Sequence, residues 1–131
     1  MIGLDTNVLV RYVVKDDAEQ LSRVRHLLDD IAQTGDRIYV DDIVLCELVW
    51  VLRSIYRWNR AAIAQALEEI LGIWVLVFAD PERFSTATGE YRDGPGDFAD
   101  YLIGRRNAAI RCEHTVTFDR DLAANPAFVV L

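Results

Sequence analysis

The chain has 131 residues, 52% of them hydrophobic, which is enough for one well-buried core and short for two. Its 21 acidic residues outnumber 14 basic ones for a formal charge of −7. That balance excludes holding a nucleic acid by a global positive field and leaves only a local basic rim or bridging cations for the purpose. Every basic residue but Lys15 is an arginine, the better fork for phosphate and carboxylate. Cys46 and Cys112 lack metal-ligand spacing and read as reduced thiols packed in apolar helices. The first apolar stretch is interrupted by Asp5 and Arg11, and the longest apolar run falls well short of a membrane span. No signal peptide and no membrane association are therefore expected, and the location expected is cytoplasmic.

In chain order, a β-rich run at 2–4 leads through Asp5 into a helix beginning near Asn7. Leu21, Val24, Leu27, Leu28 and Ile31 recur with helical period, and Gly35 stops them. A second strand is expected at 38–40, followed by a helix over 43–52 that is apolar on nearly every face. Ile63, Leu67, Ile70 and Leu71 form the next helical pattern, opened by Asn59 and stopped by Gly72. After a strand at 74–78, Asp80-Pro81 supplies an N-cap and a first-turn proline for a helix through Phe84, Ala87 and Tyr91. Gly94-Pro95-Gly96 resets the chain before a helix over 98–110, and strands at 115–117 and 128–130 follow. Strands alternating with helices predict an α/β fold, a central parallel sheet flanked by helices on both faces, built as one domain over 1–131.

Five acids stand out against this frame. Asp5 falls where a parallel strand hands over to a helix, the rim at which open α/β sheets place their chemistry. It serves equally well as a helix N-cap, with Thr6 and Asn7 as polar groups orienting its carboxylate. Glu47 is the one charge in Ile43-Val44-Leu45-Cys46-Glu47-Leu48-Val49-Trp50-Val51-Leu52, so it is expected to be buried and to need a partner: an arginine such as Arg53, or a metal. Asp97 and Asp100 share one helical face, as a cap with an acidic residue three positions on or as half of a cation site. Asp100 is the favoured ligand, with Gly104 one turn on leaving room for a close neighbour. Asp119 follows the strand at 115–117 and reaches the same kind of rim as Asp5, although an ordinary turn aspartate would look the same. Asp121 is an outside candidate that suits the cap of a short terminal helix.

Acids on separate elements, all expected at one side of one sheet, form a cluster of hard oxygen donors. Such a cluster repels itself unless protons or cations intervene, and it favours magnesium or manganese over zinc. His26 and His114 are too isolated for a metal site or a catalytic dyad.

At these residues the chain resembles the PIN-domain ribonucleases, and among them the VapC-type toxins of toxin–antitoxin pairs. The matching segments are Leu4-Asp5-Thr6-Asn7, the Glu47 helix, Asp97-Phe98-Ala99-Asp100-Tyr101-Leu102-Ile103-Gly104 and Thr117-Phe118-Asp119-Arg120-Asp121-Leu122. Each is weak singly, whereas their order and spacing over nearly the whole chain are specific. The resemblance implies metal-dependent hydrolysis of RNA phosphodiester bonds, with Asp5, Glu47, Asp100 and Asp119 holding one or two magnesium or manganese ions and Thr6 and Thr117 in support. Asp97 is an extra acid beside the usual aspartate. The resemblance further implies a VapB-like antitoxin partner and a homodimer. For the antitoxin, Tyr56 and Trp58 beside Arg57 and Arg60 offer a groove, while Trp50 is expected in the core.

Other readings account for less. A haloacid-dehalogenase phosphatase needs a second aspartate where Asn7 stands and a downstream lysine, which Lys15 cannot supply. A phosphoacceptor receiver lacks its lysine likewise. A nonenzymatic interaction domain explains the acids as caps but not Glu47, and a stand-alone RNA-processing nuclease shares the site without the toxin role.

Overall fold

A computed structural model describes residues 1–131, which pack as two compact units, Met1–Pro81 and Glu82–Leu131. In the first, β1 (Ile2–Gly3), β2 (Ile38–Val40) and β3 (Leu76–Phe78) form a parallel sheet in sequence order, Ile2 opposite Ile38 and Ile38 opposite Leu76. Two helices fill each crossover: α1 (Thr6–Val14) and α2 (Ala18–Thr34), then α3 (Asp42–Ser54) and α4 (Arg60–Leu71). The α/β class with parallel pairing is as the alternating pattern predicts.

Local chemistry sets the boundaries. Asp5, Asp17, Asp41 and Asn59 cap the four helices, each accepting a backbone N–H with its side chain. Gly35 ends α2 in the left-handed region at φ 72°, whereas Gly72 ends α4 at φ −80° and owes nothing to glycine's freedom. The third strand begins later than the β-rich run suggests. Trp74 lies outside it, 58% exposed, with the Arg37 guanidinium 5.6 Å above its ring. Ile38, Leu45, Leu48, Leu52, Ile63 and Leu67 are fully buried at the heart of this unit.

The second unit holds α5 (Pro81–Asp93, whose first residue belongs to the first unit), α6 (Phe98–Ala109), a 3₁₀ turn (Arg120–Leu122), and the parallel pair β4 (Thr115–Thr117) and β5 (Phe128–Val130). Its core is aromatic. Phe98 meets Phe84 and Tyr91 edge to face, at centroid distances of 6.3 and 6.2 Å. Glu90 accepts from Arg105 Nε at 2.6 Å and from Asn125 Nδ2 at 2.5 Å, tying α5 to α6 and to the approach of β5. The hydrogen bond to Glu90 raises the Arg105 pKa above its ordinary value, outweighing the lowering effect of burial. The Gly94-Pro95-Gly96 loop wraps Tyr101, whose hydroxyl accepts the Gly96 N–H at 2.9 Å. A side chain at either glycine would collide with that ring or its hydroxyl. Cys112 lies beyond α6 and is exposed, so it is not the packed helical thiol expected, whereas Cys46 is half-buried on α3; neither forms a disulfide.

Gly104 does leave room for a neighbour, and the neighbour is Phe128. A Cβ at Gly104 would stand 2.7 Å from Phe128 Cζ and 3.0 Å from Cε2. Alanine gains about 1 kcal/mol of helix propensity, but overpacking a buried ring costs about 1–3 kcal/mol. Gly104→Ala is therefore expected to destabilise the protein, read as a lower urea midpoint with an unchanged denaturation slope.

Candidate functional site

Asp5 stands two residues beyond β1, at its carboxyl end, as the N-cap of α1. Its Oδ1 accepts the Thr6 N–H at 2.7 Å, and the Thr6 hydroxyl donates to Glu47 Oε2, also at 2.7 Å. One buried threonine thus holds two carboxylates from different helices. Asp5 Oδ2 and Glu47 Oε1 are left without a protein hydrogen bond, on residues that are both exposed.

The exposure of Glu47 overturns the expectation that it is buried. The buried stripe of α3 is Asp42, Leu45, Leu48, Val49 and Leu52, and at 3.6 residues per turn Glu47 falls on the opposite side, with Ile43 and Trp50. The helix is apolar on both faces but buried on one. Its buried acid is Asp42, 4% exposed, which sequence reasoning passed over. The signal was present: 42, 45, 49 and 52 share one helical face. Trp50, expected in the core, is 55% exposed, while Tyr56 and Trp58 are half-buried.

In the second unit, Asp97 caps α6, its Oδ1 accepting the Phe98 N–H at 2.8 Å, and Asp100 occupies the first turn. Both are half-buried. Asp119 follows β4, caps the 3₁₀ turn through the Asp121 N–H at 2.9 Å and donates its own N–H to Thr117 Oγ1 at 3.0 Å. Asp119, not Asp121, is the cap, because the turn begins at Arg120. No three or more His, Cys, Asp or Glu side chains are gathered into a group that could hold a metal ion. The first unit presents the Asp5 and Glu47 pair, and the second presents Asp97, Asp100 and Asp119.

Such donors suit a hard divalent cation. The carboxylates of Asp5, Glu47, Asp97 and Asp119 are each held by a hydrogen bond from a neighbour, with oxygens to spare at Asp5 and Glu47, and neither histidine is among the candidates. His26 instead has its Nδ1 2.7 Å from the Ser22 carbonyl on its own helix.

The helix that starts at Asp5 is anchored at its other end. Arg11 Nη1 donates to Asp16 Oδ1 at 2.8 Å and to Tyr56 Oη at 3.2 Å, and the Tyr56 hydroxyl donates to Asp16 Oδ2 at 3.1 Å. The hydrogen bonds of Tyr56 and Asp16 raise the Arg11 pKa. Desolvation pushes the Asp16 carboxyl up, but the bonds from Arg11 and Tyr56 outweigh it and hold the group below its ordinary value.

α/β topology with acids at strand ends defines the class. A family model described as PIN domain matches residues 2–127, and the chain belongs to that family. A VapC ribonuclease of Aquifex aeolicus (strain VF5) is 26% identical over 117 residues, covering 89% of this chain and 86% of the relative. No solved structure matches the chain significantly. No helix is long and apolar enough to cross a membrane.

A carboxylate depressed on folding stabilises the native state above its unfolded pKa of about 3.9 and loses that contribution as pH falls through the lower native value. Asp16→Asn should therefore be less stable than the parent protein at neutral pH. The difference in urea midpoint should shrink below about pH 4, as measured by denaturation across an acid series.

Proposed function

We propose that this chain is a divalent-metal-dependent endoribonuclease of the VapC type, a toxin acting in the cytoplasm and restrained by a small VapB-like antitoxin. The observation that carries the proposal is Thr6, bonded at once to Asp5 and Glu47. A fold in need only of a helix cap has no use for a second carboxylate drawn to the same residue. Membership of the PIN family and similarity to a VapC ribonuclease supply the reaction class. In this proposal Met1–Leu131 acts as one domain, and Asp5, Glu47, Asp100 and Asp119 are the ligands of magnesium or manganese. Asp97 stands at the edge of the set, as the extra acid beside the aspartate that matches the family pattern.

The acids bring the charge that recruits the cation, and Thr6 fixes the rotation of two of them. When bound, the cation supplies positive charge at the scissile phosphate and acidifies water for the attack. No side chain is required as a covalent nucleophile. The amide variants Asp5→Asn and Asp100→Asn keep shape and remove the anionic ligand.

In magnesium, the parent protein is expected to cleave single-stranded RNA and to lose that activity with a chelator. Asp5→Asn and Asp100→Asn should each lose at least about 100-fold in rate, while circular dichroism and melting remain native-like. Asp97→Asn should retain most activity. Full cleavage by both Asp5→Asn and Asp100→Asn would remove these acids from the site.

The antitoxin proposal rests on the VapC likeness and on apolar surface at the α3 face. Tyr56 is already committed to Asp16 and Arg11, so exposed Trp50 with Ile43 replaces Tyr56 and Trp58 as the aromatic contact. A homodimer belongs to the same proposal. Co-expression with the product of an adjacent small gene should give a purifiable complex with suppressed cleavage. No association and unchanged activity would leave a stand-alone PIN nuclease.

A further inference from the structure

Between α1 and α2 lies a cleft of about 570 Å³, within the size range of small-ligand sites. Asn7 and Arg11 line it from α1, and Gln20, Arg23, Val24 and Leu27 line it from α2. Asn7 and Arg11 are one helical turn apart, about 6 Å along the axis. Gln20, Arg23, Val24 and Leu27 share the i, i+3, i+4, i+7 face. The lining is therefore a row of hydrogen-bonding groups over an apolar floor.

Those polar groups are unspent. The side chains of Asn7, Gln20 and Arg23 form no hydrogen bond or ion pair within the protein. Arg11 differs in a useful way. Both of its bonds leave from Nη1, which pins the guanidinium to Asp16 and Tyr56 while leaving the Nε and Nη2 donors uncommitted. A guanidinium fixed along one side and open along another has already lost the rotamer freedom that ligand binding would otherwise cost. In a chain of net charge −7, an arginine-lined cleft is a local exception to the overall field.

We propose that this cleft is an RNA-positioning subsite, resting on the ribonuclease function proposed above. Arg23 and the open edge of Arg11 take backbone phosphate, Asn7 and Gln20 bond ribose or base edges, and a base face lies on Val24 and Leu27. The occupant is a nucleotide flanking the cut, because Asn7 is two residues from Asp5 on the helix that Asp5 caps. Phosphate matches the guanidinium forks, and the paired amides match the donors and acceptors of a nucleotide better than an apolar peptide. Arg23 is a positioning residue with no part in bond breaking.

The test compares the parent protein with Arg23→Ala and Arg23→Lys in two assays: steady-state cleavage of single-stranded RNA in magnesium, and equilibrium binding of the same RNA without divalent metal. Arg23→Ala should raise KM roughly tenfold or more, as expected for one lost charged contact, with kcat little changed. It should also weaken metal-free binding and lower the salt slope of that binding by about 0.7. Arg23→Lys should recover part of both. A parent that cleaves RNA, with KM, affinity and salt slope unaltered in Arg23→Ala, overturns the subsite and leaves the ribonuclease standing. A parent that binds RNA through Arg23 without cleaving it upholds the subsite and sinks the hydrolytic function. Loss of antitoxin binding alone in Arg23→Ala overturns the subsite in favour of a protein occupant.

Discussion

Two hydrogen bonds of 2.7 Å from Thr6 govern the first unit. Through its N–H the residue fixes the start of α1, and through its hydroxyl it ties that start to the middle of α3. Since Thr6 is buried while Asp5 and Glu47 are exposed, the donor is shielded and the acceptors meet water. A shielded donor competes less with solvent, so its direction is well defined. The same constraint shapes the surroundings. With its N-terminus held at Asp5 and its C-terminal turn held by Arg11, Asp16 and Tyr56, α1 is fixed at both ends, and the cleft beside α2 inherits that fixity.

The second unit reaches definition by different means. It lacks a large aliphatic sheet core and relies on edge-to-face rings, on three glycines that admit Tyr101 and Phe128, and on Glu90 receiving two side chains. Shape, more than buried aliphatic area, locates α6 there. Glycines 94, 96 and 104 are needed for space, not for unusual backbone angles, since none of them has a positive φ.

Much of this was legible in the chain itself. The α/β class and all five strands followed from β-rich runs between helical periods, and the helix starts at Asp5, Asn59 and Asp97 followed from side chains able to accept a backbone N–H. The PIN resemblance lay in acids at set intervals. What misled was uniformity. In α3 the apolar residues run all the way round, so periodicity could not say which face is buried, and Glu47, Trp50 and Asp42 were each placed on the wrong side or overlooked. Which face packs is decided by partners distant in sequence, and those partners leave no local mark. Tyr56 shows the same limit: an aromatic beside arginines suggests a surface groove, yet its hydroxyl closes a network with residues 11 and 16.

The hold of Phe128 and Asn125 on the preceding helices has a bearing on how the protein is made. Synthesis proceeds from the N-terminus, and the first unit contains all of its own strands and helices by Pro81. The helix bearing Asp97 and Asp100 is different, because Gly104 packs on Phe128, and Glu90, which binds Arg105, also binds Asn125. Until residues 125–128 have left the ribosome, α6 lacks these supports. A nascent chain thus carries Asp5 and Glu47 in place well before Asp100 is secured, a delay built into the order of the amino acids.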